Sequence, residues 1–311
     1  MTRLPRAMIA AAHKSSGKTV VTTGLTAALS AAGDRVAPFK KGPDYIDPMW
    51  LAEAAGRPCY NLDFNAMARG EIAALFQSRA TGADLSLIEA NKGLFDGLAL
   101  DGSDSNAALA AMLQAPVILV VDTRGMTRGI APLLLGYQAF GADIAIAGVV
   151  LNKTGGSRHE GKLRRAVEAY SDVAVLGAIG ADKGLDISER HLGLATPGET
   201  EGLRKLIQDI AEAVGQGVDL DRVRAIARAA PEPALEPAPA LEPAPAPPAR
   251  SAERLRIGIA RDEAFGFYYA DDLEAFAAAG ARLLPIDLTR DTALPALDGL
   301  FIGGGFPEMR M

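Results

Sequence analysis

Short runs of consecutive apolar residues punctuate the first two thirds of the chain, with helical patterns between them. Residues 6–12 form the first such run, ending in a Gly/Ser loop that opens a helical stretch at 19–32. Runs of strand length recur at 35–39, 85–89, 117–122, 144–152 and 173–179, and helical spacing fills 66–80, 105–113, 127–140 and 161–170. A strand wetted on one face alternates apolar with polar residues, whereas these runs are apolar throughout, which implies burial on both faces. The pattern predicts an α/β fold: a parallel sheet with helices on both faces. In such sheets ligands bind at the carboxyl ends of the strands.

The pattern breaks at 231–248, which reads PEPALEPAPALEPAPAPP, with ALEPAP in tandem and eight prolines in 18 residues. Proline at that density excludes helix and central strand and predicts an extended, semi-rigid spacer. Nothing aromatic or basic marks the segment as a docking ligand. The chain therefore divides into residues 1–229, a Pro/Ala-rich linker at 230–252, and residues 253–311. The last part restarts an α/β pattern: strand at 256–261, helix at 269–279, strand at 282–286, then GLFIGGGF at 299–306, a strand running into a glycine turn. It is too short for a whole α/β domain and reads as the truncated start of one.

Composition narrows the function classes. Of 311 residues, 49% are apolar and 23% charged, which excludes wholesale disorder. The net charge of −6 argues against a general nucleic-acid surface. Cys59 is the single cysteine, so no disulfide forms within the chain, and three histidines (His13, His159, His191) make a zinc enzyme a poor fit. The longest apolar run, 107–121, is interrupted by Gln114 and Pro116, and the N-terminus lacks a signal-peptide core. No membrane association and a cytoplasmic location are the expectation.

Candidate chemistry begins after the first strand, where residues 12–19 read AHKSSGKT. The P-loop pattern G-x-x-x-x-G-K-[ST] is met except that Ala12 replaces the first glycine. Backbone N–H groups of Lys14, Ser15, Ser16, Gly17, Lys18 and Thr19 can still cradle phosphate at a helix N-terminus. Lys18 would reach the terminal phosphates, and the Thr19 hydroxyl would meet Mg²⁺. Lys14 is a candidate for crossing a dimer interface, although its spacing to Lys18 is one residue short of that signature. Carboxylates stand at other strand ends, in PFKKGPDYIDP (38–48), LIEANKGLFDG (87–97) and VVDTRGMTRG (120–129). Glu89 ends a buried strand, where an acid is costly unless a metal or cation pairs with it. Asp44, Asp47 and Asp96 lie in glycine/proline loops, where function and a solvated turn both remain open. Asp122 ends a third strand.

Taken in order, SSGKT, PFKKGPDYIDP, GLFDG, VVDTRGM, AGVVLNK, SRHEGKLR and ERHLGL resemble the cobyrinate a,c-diamide synthase family across residues 7–196. The resemblance implies a dethiobiotin-synthetase-like nucleotide domain joined to a class I triad glutaminase. It implies ATP-dependent amidation of the a- and c-carboxylates of a tetrapyrrole through an acyl phosphate. Ammonia would come from glutamine or be taken free. By motif position, Lys18 and Lys40 would stabilise the transferring phosphoryl group, and Thr19, Asp44 and Glu89 would hold Mg²⁺. Asp47 and Asp96 would orient substrate or ammonia, and Asn152 matches a residue that reads adenine in related folds. His191 belongs to a family motif or is simply a helix-terminal histidine. A homodimer is also implied.

EANKGLFDG stands where the family usually has EGVMGLYDG. Together with AHKSSGKT and NLDFNAM (61–67), it leans toward a sister branch that amidates sirohaem-type tetrapyrroles. Residues 299–308 (GLFIGGGFPE) resemble the glycine turn of a glutaminase oxyanion hole. The nucleophilic cysteine and histidine of that domain have no counterpart here, since no cysteine follows Cys59 and no histidine follows His191. The expectation is a fragment of a longer protein, a glutaminase acting in trans, or use of free ammonia. The competing readings are a P-loop ATPase that switches protein partners and a dethiobiotin-synthetase-like carboxylase.

Overall fold

The computed structural model describes residues 3–141, 143–187, 189–190, 193–194, 196, 202–232 and 255–309. The proline-rich segment beyond residue 232 and His191 lie outside the described residues. Two compact units divide the chain, one within 1–194 and 202–238, the other within 195–201 and 239–311.

The first unit is built on seven strands: β1 (Arg6–Ala11), β2 (Val36–Lys41), β3 (Tyr60–Leu62), β4 (Leu85–Glu89), β5 (Val117–Asp122), β6 (Ile146–Thr154) and β7 (Val175–Gly180). They form one parallel sheet in the order β3-β2-β4-β1-β5-β6-β7. Every residue of β1, β2, β4 and β5 is buried, as apolar runs without alternation require. The connecting helices are α1 (Lys18–Ala31), α2 (Ile46–Ala55), α3 (Arg69–Ala80), α4 (Asn106–Met112), α5 (Ile130–Phe140) and α6 (Ser157–Tyr170). α7 (Leu203–Gly217) and α8 (Leu220–Arg228) complete the unit. From β1 the chain crosses to β2 on one side, whereas β5 passes to β6 on the other. Right-handed crossovers therefore set α1 and α5 on opposite faces of the sheet. The direction reverses at β1, so the crevice at its carboxyl end is where this topology binds ligands.

α1 and α7 approach closely because Gly24 has no side chain: a Cβ there would lie 2.4 Å from Cγ2 of Val214. Leu25 and Leu29 on α1, with Met8 and Ile9 on β1, are wholly buried, each contributing about 1.5–3 kcal/mol of transfer free energy.

Several expectations need correction. Residues 43–48 do not form one loop. α2 begins at Ile46, so Asp47 is a residue of its first helical turn. Pro48 sits in that same turn, where the missing N–H has no helical partner to lose. Asp44 starts the helix by accepting from the N–H groups of Ile46 (2.9 Å) and Asp47 (3.0 Å). β3 has only three residues and gives no readable run. α6 begins at Ser157 rather than 161, and α5 at Ile130 rather than 127.

Arg6, the first residue of β1, is 1% exposed and donates only to backbone carbonyls. These are Leu113 (2.5 Å), Leu4 (2.9 Å), Gln114 (3.2 Å) and Pro231 (2.6 Å). Leu113 is the C-cap of α4, so the cation also sits at the negative end of a helix dipole. Burial lowers its pKa to about 10, which leaves it charged at neutral pH. Arg6→Met is expected to destabilise the protein by about 2 kcal/mol, because charged hydrogen bonds are lost and buried carbonyls are left without donors. An unchanged urea midpoint would show that water replaces those donors.

A two-residue ladder pairs β8 (Glu189–Arg190) with β9 (Gly193–Leu194). The second unit contains β10 (Arg256–Ala260), β11 (Phe265–Phe267), α9 (Ala270–Ala278), β12 (Arg282–Ile286), β13 (Gly299–Phe301) and β14 (Gly304–Gly305). A parallel sheet runs β12-β10-β13, and β11 pairs antiparallel with β14. The expected strand running into a glycine turn at 299–306 is seen as β13, and the short strand β14 follows the turn. Tyr268 fixes that turn: its hydroxyl donates to Ala260 O (2.6 Å) and accepts from the N–H of Gly303 (3.0 Å). A Cβ on Gly305 would fall 1.9 Å from Ala264 O, so only glycine fits. Among the described residues, no helix is long and apolar enough to cross a membrane.

Candidate functional site

The loop after β1 and the start of α1 carry the P-loop residues. Ser15 (φ 62°) and Gly17 (φ 81°) adopt left-handed backbone conformations that wrap the loop around its own N–H groups. α1 begins without a side-chain cap and without an acid in its first turn. Among the described residues, no protein acceptor takes the N–H groups of Gly17, Lys18 or Thr19. Such a helix end is a ready anion site. Lys14 is exposed on the loop's outer side, and Ser16 is buried, with its hydroxyl donating to His13 O (2.7 Å).

The loop is held from outside by β6. The Asn152 side-chain amide donates to Ser16 O (2.9 Å), and Lys153 Nζ lies 3.3 Å from Ser15 O. With those carbonyls held outward, the adjoining peptide N–H groups are free to face the cradle. Lys153 has φ 56° and pairs with Asp122 (3.7 Å), which Arg124 also binds (2.7 Å). Asp122 thus belongs to this outer support, apart from the other carboxylates. Gly17 sits where a Cβ would come 2.2 Å from the Asn152 amide nitrogen. Gly17→Ala is expected to dislodge that amide and to strain the backbone. Its predicted effect is a nucleotide affinity lowered by about tenfold or more, measured by calorimetric titration with ADP.

On the other side of the loop, parallel register places Lys40 of β2 directly beside Glu89 of β4. Lys40 and Glu89 are 1% and 0% exposed. Lys40 Nζ donates to Asp47 Oδ2, to Glu89 Oε1 (3.1 Å) and to Ala90 O (3.2 Å), and lies 3.8 Å from Asp44 Oδ2. The Thr19 hydroxyl donates to Glu89 Oε1 (2.8 Å) and lies 3.3 Å from Asp47 Oδ2. Lys18 Nζ is 3.6 Å from Glu89 Oε1. Two lysines, three carboxylates and a hydroxyl from four chain segments therefore converge at the edge of the phosphate loop.

Burial and charge oppose each other in this cluster. Burial would depress the pKa of Lys40, but Asp47, Glu89 and Asp44 reverse that and hold it above the ordinary lysine value. Burial and the neighbouring Lys40 hold Lys18 below it. Burial outweighs the lysines at Glu89 and raises its pKa, whereas at Asp47 Lys40 and Lys18 outweigh burial and lower it. Asp44 is raised by burial.

Within this cluster, Glu89 Oε2 is buried and has no hydrogen-bond partner among the described residues. A buried carboxylate oxygen left bare costs free energy unless a ligand supplies the missing contact. A hard cation fits the oxygen donors of Glu89, Asp44 and Thr19. Among the described residues, no three His, Cys, Asp or Glu side chains form a self-sufficient metal group.

Asp96 stands apart. It is exposed, and its carboxylate accepts from the N–H of Gly93 (2.9 Å), closing its own loop. That loop does abut the phosphate loop: Leu94 N–H donates to Ala11 O (2.9 Å), and a Cβ on Gly93 would lie 2.9 Å from Ala12 O. The Tyr137 hydroxyl also donates to Ala12 O, a contact invisible in the sequence because 125 residues separate the two. Asn61, the first residue of NLDFNAM, makes a contact of the same non-local kind. Its amide donates to Gly42 O (2.9 Å) and Asp44 O (2.7 Å), bracing the acidic turn. Cys59 is packed in the interior, and burial pushes its thiol well above the usual pKa.

The parallel sheet, the phosphate loop at its topological switch point and the buried lysine–carboxylate cluster define a P-loop NTPase-like α/β domain. The chain belongs to the AAA domain family, whose model matches residues 6–187. It is 47% identical over 309 residues to the cobyrinate a,c-diamide synthase of Magnetococcus marinus, covering 99% of this chain and 66% of that one. Identity is 40% to the enzyme of the same name from Methanosarcina acetivorans (98% and 63% covered) and 42% to that from Dehalococcoides mccartyi (98% and 65%). The resemblance to the cobyrinate a,c-diamide synthase family thus runs through nearly the whole chain, which spans 63–66% of the length of these relatives. Among solved structures, the septum site-determining protein MinD of Pyrococcus horikoshii, complexed with Mg-ADP, aligns with a TM-score of 0.42 at 17% identity. That alignment covers 71% of this chain and 94% of that one.

Proposed function

We propose that this protein uses ATP to amidate side-chain carboxylates of cobyrinate, those at positions a and c. The reading rests on the convergence of Lys18, Lys40, Thr19, Asp44, Asp47 and Glu89 at a P-loop, in a chain whose relatives carry that name.

A carboxylate cannot exchange its oxygen for ammonia directly, because oxide is too poor a leaving group. A substrate carboxylate oxygen attacks the γ-phosphorus of ATP, the bond to the β–γ bridging oxygen breaks, and ADP departs. Ammonia then adds to the acyl-phosphate carbon. Phosphate leaves with the C–O electron pair, and the surplus proton passes to solvent. The chain contributes placement and charge. The N–H groups of residues 14–19 hold the phosphates, while Lys18 and Lys40 spread the charge of the transferring group. Thr19, Asp44 and Glu89 would hold Mg²⁺, which would neutralise phosphate charge when bound. Asp47 keeps Lys40 aligned, Asp96 faces the substrate side, and Asn152 supports the loop and borders the adenine. Cys59 is sealed and takes no part, so the ammonia is supplied free or by a glutaminase site other than Cys59. Residues 299–308 resemble the oxyanion turn of such a site. A homodimer acting in the cytoplasm completes the reading.

The test is ADP release with ammonium and cobyrinic acid, with mass spectrometry of the product. The expected result is ammonia-dependent ADP release matched by conversion of acid to amide. Amidation of sirohydrochlorin but not cobyrinic acid would transfer the reading to the sirohaem-type branch. Absence of any amide, with ATPase activity that follows a protein partner, would overturn it in favour of a partner switch.

A further inference from the structure

The loop that follows Asp96 carries two leucines that the fold leaves in water. Leu98 is 78% exposed and Leu100 fully exposed, yet the loop is tightly built. Asp104 accepts from the N–H groups of Leu98 (2.9 Å) and Ala99 (3.1 Å). Ala99 O takes the N–H of Gly102 (3.1 Å), and Asp101 takes that of Ser103 (3.0 Å). Gly97 is obligatory, since a Cβ would lie 2.2 Å from Asp104 Oδ1. A loop braced in this way displays its leucines rather than merely tolerating them.

Three cations stand on this loop or on the segments next to it in the fold. Arg69 Nη2 donates to Ser103 O (2.8 Å), and its guanidinium stacks 4.9 Å from the Phe64 ring centroid. Lys41 lies over the same ring at 5.9 Å. Lys41 is 5% exposed and makes no ion pair or hydrogen bond among the described residues. Burial depresses its pKa, with Asp104 and Asp63 only partly opposing that from a distance. Lys92 is exposed and left-handed (φ 41°), and its charge is felt at Lys41. An exposed apolar tip, with Arg69 bonded to its own loop, Lys41 sharing the Phe64 ring with Arg69, and Lys92 on the same connection as Asp96, is complementary to a ligand that is apolar on its face and anionic at its rim. A two-fold copy of this chain fits less well, because an isologous contact near the patch would set the same cations against each other.

We propose that Leu98 and Leu100 seat the face of the tetrapyrrole ring, while Lys41, Lys92 and Arg69 pair with the carboxylates that are not reacting. This rests on the tetrapyrrole substrate proposed above and assigns residues to its recognition. In a chain of net charge −6, such a seat also gives the substrate's anionic rim a local landing place.

The experiment is equilibrium binding of cobyrinic acid to the full chain without ATP, read from the ring's absorbance, together with steady-state kinetics. The Leu98→Ser/Leu100→Ser double variant is expected to raise Kd and KM about tenfold, with kcat changed less than about threefold. Lys41→Gln is expected to raise Kd about tenfold and to flatten its salt dependence. Both leucines are solvent-exposed, so the double variant should keep the wild-type melting temperature. If wild type binds and amidates while the double variant binds equally well, the seat is wrong and the reaction stands. If wild type neither binds nor amidates, the tetrapyrrole reading fails first. If the double variant changes only the sedimenting mass, the leucines belong between copies of the chain and the proposal is overturned.

Discussion

Lys40→Met is expected to destabilise the protein by about 3–5 kcal/mol and to abolish phosphoryl transfer. Lys40 and Glu89 are both essentially without solvent, and Asp47 and Asp44 lean on the same ammonium. Methionine fills the space but leaves carboxylates buried without their cation. Their cheapest relief is protonation, so Glu89, already raised, rises further. The sign then follows from linkage. Between the ordinary glutamate pKa and the raised folded value, the folded variant binds more protons than the unfolded chain, so its stability falls as pH rises. The urea midpoint of Lys40→Met should therefore recover on acidification from about pH 8 to about pH 5. A midpoint equal to wild type at neutral pH would mean that Lys40 does not balance the cluster.

Lys18→Ala is expected to separate activity from stability. Burial and the nearby Lys40 hold its pKa down, so in the absence of phosphate the folded chain is strained by that charge. Removing it should leave the urea midpoint unchanged or raise it. ADP release should fall by about 10³-fold or more, because the cation that meets the transferring phosphoryl group is gone. Surviving turnover would refute the P-loop assignment. A midpoint lowered as far as in Lys40→Met would refute the account of Lys18 as a strained charge held for the substrate.

These two lysines also show what the sequence reveals and what it hides. Lys18 is readable because the whole device is local: a buried strand, a glycine turn and a helix start within fourteen residues. The strands at 85–89 and 117–122 are legible to the residue, because burial on both faces leaves a run that is mostly apolar and ends in an acid. The helix after Gly42 is not, because proline and aspartate are turn-formers and first-turn residues alike, and only the fold decides between them. That ambiguity hid Asp47's position on α2. The acid at the end of β4 was legible as costly, but its partner was not. Lys40 meets Glu89 through strand register, which a separation of 49 positions along the chain does not encode locally. The carbonyl clasps by Asn152 and Lys153 and the Tyr137 contact with Ala12 are equally non-local.

Arg6 holds Pro231 at the start of β1, whereas the phosphate loop follows the end of the same strand. The two ends of one central strand thus serve as a mechanical ground and a working edge. Tension applied to the chain beyond Glu232 meets the arginine's carbonyl clasps, and behind them α8 packed on β1 and β4, before it can reach the loop. In a single-molecule pulling record the first rupture should be the peeling of that terminal helix. A nucleotide already seated should remain bound through the event, with the load discharged at the far side of the sheet.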